Sequence, residues 1–218
     1  KDEAWRLCNF NRLNSFLSLP TICNSDDIKS ELIFPEIDEN SARIIIKPNE
    51  NNVLNINLPN GIEHMSESEL DDNLGTIVNS TNVKNDISVG LNQASSYELL
   101  ALKVKCNFNK SLEIVIPSIK EKLISTRVFL LVEEGAKLDL LQVFLGNINS
   151  AQNHLIEIKL ESKVDLSHGL ISLGEEKGSS SICTLAVEQS EKSKYSLHSL
   201  HHGWDYARFE PRIIQTKG

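Results

Sequence analysis

Three stretches decide the fold: EEGAKLDLLQVFLG (Glu133–Gly146), ESKVDLSHGLISLG (Glu161–Gly174) and EKSKYSLHSLHHG (Glu191–Gly203). Each begins with charged residues, runs through apolar and polar side chains in alternation, and stops at a glycine. The triplets Leu112-Glu113-Ile114, Leu138-Asp139-Leu140, Val164-Asp165-Leu166 and Tyr195-Ser196-Leu197 begin 26, 26 and 31 residues apart, and lysines 137, 163 and 194 precede the last three. A second series of strand-like runs, starting at Val128, Leu155 and Ile182, recurs every 27 residues in step with the first. Gly146, Gly174 and Gly203 close the units, where a residue that tolerates positive φ is expected.

Strands of period two that recur at a fixed interval between short polar turns are what a solenoid requires. One coil cannot bury both faces of its strands, so neighbours stack to close a core. An antiparallel sandwich also shows short strands between turns, but its strands need not echo one another in register. The pattern therefore predicts a mainly β chain: a right-handed β-helix of stacked coils over residues 96–218, incomplete at its C-terminal end, preceded by a smaller α/β region over residues 1–95.

That first region is less regular. Apolar residues at steps of three and four predict a helix from Asp2 to Leu17, ended by Pro20. Arg43–Lys47 and Val53–Leu58 read as short strands flanking the turn Pro48-Asn49-Glu50-Asn51-Asn52. The acidic stretch GIEHMSESELDDNL (Gly61–Leu74) fits a surface helix or a loop, and a further helix is expected near Ser95–Lys103.

Composition narrows the function. The chain has 218 residues, 40% of them hydrophobic, and a net charge of -8. An acidic chain lacks the clustered Lys and Arg that grip a phosphate backbone, so nucleic acid is not an expected partner. No run approaches the length of a membrane span, and the opening KDEAWRL lacks the apolar core of a signal peptide, so a cytoplasmic protein is expected. Cys8, Cys23, Cys106 and Cys183 are scattered and form no C-x-x-C pair, which predicts reduced, partly buried thiols.

The stretch from His198 to Asp205 invites chemical readings. On a strand, His198 and His202 share one face and His201 takes the other, too far apart to chelate one zinc without help from His154 or His168. Ser199, His202 and Asp205 have the residue types of a triad but no G-x-S-x-G elbow. Phosphate-loop and dinucleotide motifs are absent. Asp139 and Asp165 fall at one position of successive units, where carbohydrate-cleaving β-helices place carboxylates, but Glu113 and Ser196 hold the same position, as an outward polar row would. No catalytic, cofactor-binding or metal-binding residue is assigned, and the chain is not expected to be an enzyme.

Several segments together resemble the SufB/SufD family of iron-sulfur cluster assembly scaffolds, on its SufD side. These are the opening Lys1-Asp2-Glu3-Ala4-Trp5-Arg6, the run STRVFLLVEEGAKLDLLQVFLG (Ser125–Gly146) with its Glu-x-Gly-Ala turn, and the closing HSLHHGWDYARFEPRIIQTKG (His198–Gly218) with Ser199, Gly203 and Arg208. The resemblance implies a non-enzymatic scaffold of the SUF system, in the cytoplasm or a plastid stroma, that pairs with SufB and the ATPase SufC. Iron-sulfur cluster and ATP would then belong to the parent complex, with no cofactor bound by this chain. Family members are longer, so the chain is expected to be a fragment or short form that stops at Gly218 in mid-solenoid. The family's histidine at the SufB contact would lie beyond it, and no role passes to His198, His201 or His202. An open last coil, Tyr206–Thr216, would expose unpaired backbone groups and favour self-association. The alternatives from other classes are a carbohydrate-active β-helix enzyme and a generic β-solenoid binding module.

Overall fold

The computed structural model describes residue 5 and residues 16–21, 35–46, 58–96, 98–175 and 177–216. The expected helix over Asp2–Leu17, the strand over Val53–Leu58 and the turn at 48–52 lie almost wholly outside these residues, as do Cys8 and Cys23. In chain order the elements are β1 (Ser41–Ile45), β2 (Ile62–His64), α1 (Glu67–Asn73), α2 (Thr76–Ser80), α3 (Ile87–Ser95), β3 (Glu98–Val104), β4 (Ser111–Pro117), β5 (Leu123–Val132), β6 (Lys137–Leu145), β7 (Ala151–Leu160), β8 (Asp165–Leu173), β9 (Ser180–Gln189), β10 (Lys194–His202) and β11 (Tyr206–Gln215).

From β4 onward the chain alternates between two sheets, one ordered β1-β4-β6-β8-β10 and the other β11-β9-β7-β5-β3-β2. Every pairing is parallel except β2 with β3. Each circuit adds one strand to each sheet, giving a β-solenoid of about four turns. The stacking read from the sequence is therefore present, and its first rung reaches back to β1, which pairs with β4.

The register differs from the one the triplets suggested. Leu138 is level with Leu166 and Leu166 with Tyr195, so Val164 lies two positions out of line, ahead of β8. In the other sheet Val128 is level with Ile156 and Leu185, not with Leu155 and Ile182. Lys137 and Lys194 both lie level with Asp165, whereas Lys163 sits in the turn at φ 61°. There it is stacked on Gly135 (φ 75°) and under Lys192 (φ 59°), through Gly135 N–H to Ser162 O and Lys163 N–H to Glu191 O, each at 3.0 Å.

The two sheets bury different amounts for a physical reason. Strands β5, β7 and β9 are buried along nearly their whole length, because one face meets the lumen and the other a layer of helices. Strands β6 and β8 alternate buried and open positions, since only their lumen face is covered along the whole strand. The lumen core runs through Leu102, Leu130, Ile158, Val187 and, from the other sheet, Leu112, Leu140 and Leu166. A second cluster, with Ile77, Val78, Val89, Phe129 and Leu155, seals the helices onto the outer face of the β5–β7–β9 sheet.

Glu67–Asn73 is a helix because Ser66 and Glu69 form a capping box: the Ser66 hydroxyl accepts from Glu69 N–H, and the Glu69 carboxylate accepts from Ser66 N–H at 2.9 Å. Those bonds, with help from Lys103 at 3.1 Å, hold the Glu69 carboxyl down at about 2. The helix expected over Ser95–Lys103 is instead strand β3. Its Leu100, Leu102 and Val104 enter the lumen while Leu99 and Ala101 meet the helical layer, and burial on both sides hides the alternation that marks a strand.

Candidate interaction surface at the open coil

Below the last coil, side chains that enter the lumen are sealed. Leu130, Ile158 and Val187 stand at one level of successive coils and none is exposed. Ile213 continues that column on β11 and is 47% exposed. Pro211, level with the buried Leu185, is exposed as well. Among the described residues, β10 pairs only with β8 and β11 only with β9, so each presents one unpaired backbone edge beside this apolar cross-section. An edge of this kind is a template for another strand.

The coil is held firmly from beneath. The turn between β10 and β11 contains Gly203 at φ 74° and Trp204. The Trp204 indole rests on Gly146 and Gly174, leaving no space for a Cβ at either. These two glycines do not adopt positive φ; they are required by close approach, and only Gly203 of the three supplies the left-handed turn expected of all of them. On the other sheet Arg208 reaches Asp86 at 3.1 Å and lies 4.1 Å over the Trp5 ring, whose Nε1–H donates to Asp86 at 3.1 Å. A deeper latch joins Glu157 to Arg127 at 2.6 Å and to the backbone N–H groups of Gly75 and Val78. Asn92 adds a third, donating to the Thr126 and Asn153 carbonyls of neighbouring strands.

The histidines are distributed rather than gathered. His198 and His202 point outward, level with Gly169 and Leu173, while His201 turns inward level with Ser172 and packs its ring 4.8 Å from Phe209. His168 is buried in the lumen with Nδ1 2.8 Å from the Tyr195 hydroxyl. His154 stacks on Phe144 at 4.1 Å and is bonded to Thr126 and Gln152. Burial holds His154 down to about 3 and His168 to about 4, and pushes the Cys183 thiol and Tyr195 phenol up. Among the described residues no group of three or more His, Cys, Asp or Glu converges on a point that could hold a metal ion. Ser199 faces the lumen side, His202 the outside, and Asp205 accepts from Gly178 N–H at 2.6 Å, so these three form no triad. Cys106 is exposed and Cys183 buried, and neither is in a disulfide.

Asp139 and Asp165 do not share the position on successive coils that the triplets suggested. Asp139 is level with Ser167 and Ser196, Asp165 with two lysines, and Glu113 is paired with Arg43. The two-residue slip in register explains the error. An open groove of about 720 Å³ near Asp139, Asp165, Lys137, Lys110 and Cys106 carries both signs of charge. The sequence pointed to a coil over Tyr206–Thr216 but not to the latches, whose partners lie up to 122 residues apart.

Comparison of the chain with protein-family models, curated proteins and solved structures gave no match. The fold thus defines the molecule as a β-solenoid of parallel stacked coils. The described helices include none long and apolar enough to cross a membrane.

Proposed function

We propose that the chain is a scaffold component of the SUF iron-sulfur cluster assembly machinery, pairing with a SufB-type solenoid and a SufC-type ATPase. The observation that supports this reading is the parallel β-solenoid itself, two sheets that grow by one strand each per circuit. Parallel coils add strand by strand, so a second solenoid can continue the same two sheets, and the SufB/SufD resemblance of Ser125–Gly146 and His198–Gly218 supplies the candidate partner. The chain's part is structural: it offers edges and an apolar cross-section, while cluster chemistry and ATP hydrolysis belong to the assembled complex. In the same way, two copies of the open coil would cover each other when no partner is present.

Co-purification with SufB-type and SufC-type proteins tests the proposal. A stable complex that is weakened by Ile213→Lys is the expected result. If neither protein is retained by the wild-type chain, the SUF reading fails and a generic binding solenoid remains.

A further inference from the structure

The lumen side of the β6–β8–β10 sheet carries side chains that a dry apolar core would not contain. Gln142 on β6 is fully buried, and neither its Oε1 nor its Nε2 has a hydrogen-bond partner. Level with it on β8 is Leu170, and two residues to either side of Leu170 stand His168 and Ser172. Both are fully buried, and His168 Nε2 and Ser172 Oγ are unpaired. One coil further, His201 lies level with Ser172, and its Nε2 is also buried and unpaired. Five orphaned polar atoms therefore sit on four inward-facing side chains of three adjacent strands.

Leaving one buried amide unsatisfied is costly, and native interiors seldom do it. A run of such atoms at neighbouring register positions has a common remedy, because a buried water makes two to four hydrogen bonds to groups that lack partners. The chemistry is complementary. The carboxamide offers both a donor and an acceptor, the Ser172 hydroxyl offers both, and each histidine nitrogen can serve as either according to its tautomer.

We propose that ordered water occupies the lumen beside β6 and β8, bridging the Gln142 carboxamide to Ser172 and His168 and extending toward His201 at the open coil. The solenoid interior then has a wet side along this sheet and a dry core around Leu130, Ile158 and Val187. The inference stands independently of any partner or cellular role.

A crystal structure of the protein at a resolution that shows ordered solvent tests this directly. Water density within hydrogen-bond distance of Gln142 Oε1 or Nε2 is expected. Thermal unfolding of Gln142→Met supplies the second measurement: the Tm should fall by several degrees, because the bridging water loses its main partner and strands Ser172 and His168. A lumen without density beside Gln142 overturns the proposal, as does a Gln142→Met protein that unfolds at a higher temperature than the wild type. Should the variant fail to fold, the wild-type density alone decides.

Discussion

The Trp204 indole lies so close to Gly174 that a Cβ there would stand 2.6 Å from its Cδ2 and 2.5 Å from the Gly203 carbonyl oxygen. Gly174→Ala must therefore displace the turn that carries the chain from β10 to β11. Overpacking of this kind costs about 1–3 kcal/mol, read as a lower urea midpoint. Gly90→Ala is the control: the added methyl meets nothing within 4 Å on α3, and the helix should gain about 0.5–1 kcal/mol. Equal effects at the two sites would contradict the packing described.

Glu157 is fully buried and satisfied by Arg127 and two backbone N–H groups. Glu157→Ala leaves the guanidinium and both amides without their acceptor, and loss of about 3–5 kcal/mol is expected. Hydrogen exchange should show the α2 amides losing protection first. The double variant Arg127→Met, Glu157→Leu should recover part of the loss, since it removes both charges together.

Acid should weaken the fold through the lumen histidines. His154 and His168 titrate near 3 and 4 in the folded chain because burial disfavours their charged forms, whereas an unfolded histidine titrates near 6.5. The unfolded state binds more protons below that value. Stability is then fully present above about pH 6.5 and falls as pH drops toward 4, by up to about 1.4 kcal/mol per pH unit for each histidine. Urea midpoints measured from pH 7 to 4 check this, and His154→Phe should flatten the profile. A flat wild-type profile would count against neutral, buried imidazoles.

The repeat itself was plain in the sequence, but its register was not, and the reason is geometric. Strands β6 and β8 alternate with period two, so sliding Val164 under Leu138 preserves the pattern as well as the true match with Leu166 does. Strands β5 and β7 are buried on both faces, so nothing in their composition says that Val128 enters the lumen and Leu155 faces the helices. Helix α3 escaped notice because its signal is a cap, Asp86 accepting from Ser88 N–H, and not an apolar stripe. That a coil runs through Tyr206–Thr216 could be foreseen, and β11 spans Tyr206–Gln215. The buried ends of Gln142 and His168 could not, because their significance depends on what stands level with them in space.

Concentration-dependent assembly is the corresponding prediction for the coil end. Light scattering after size-exclusion chromatography should show oligomers that Ile213→Lys disperses, since a charge placed in the apolar cross-section would have to be desolvated on pairing. A wild-type monomer that persists at high concentration would show that the exposed edges are protected in some other manner.

Stacked circuits whose strand ladders run only to adjacent circuits also have a mechanical signature. Leu138, Leu166 and Tyr195 recur once per circuit. Tension applied at the Gln215 end therefore peels circuits away singly, and each released length of chain extends by about 90–100 Å at roughly 3.4 Å per residue. The first circuit to leave must also break the Arg208 latch to Asp86, and the third the Glu157 latch, so a force trace should show taller teeth at these two, where two layers part at once.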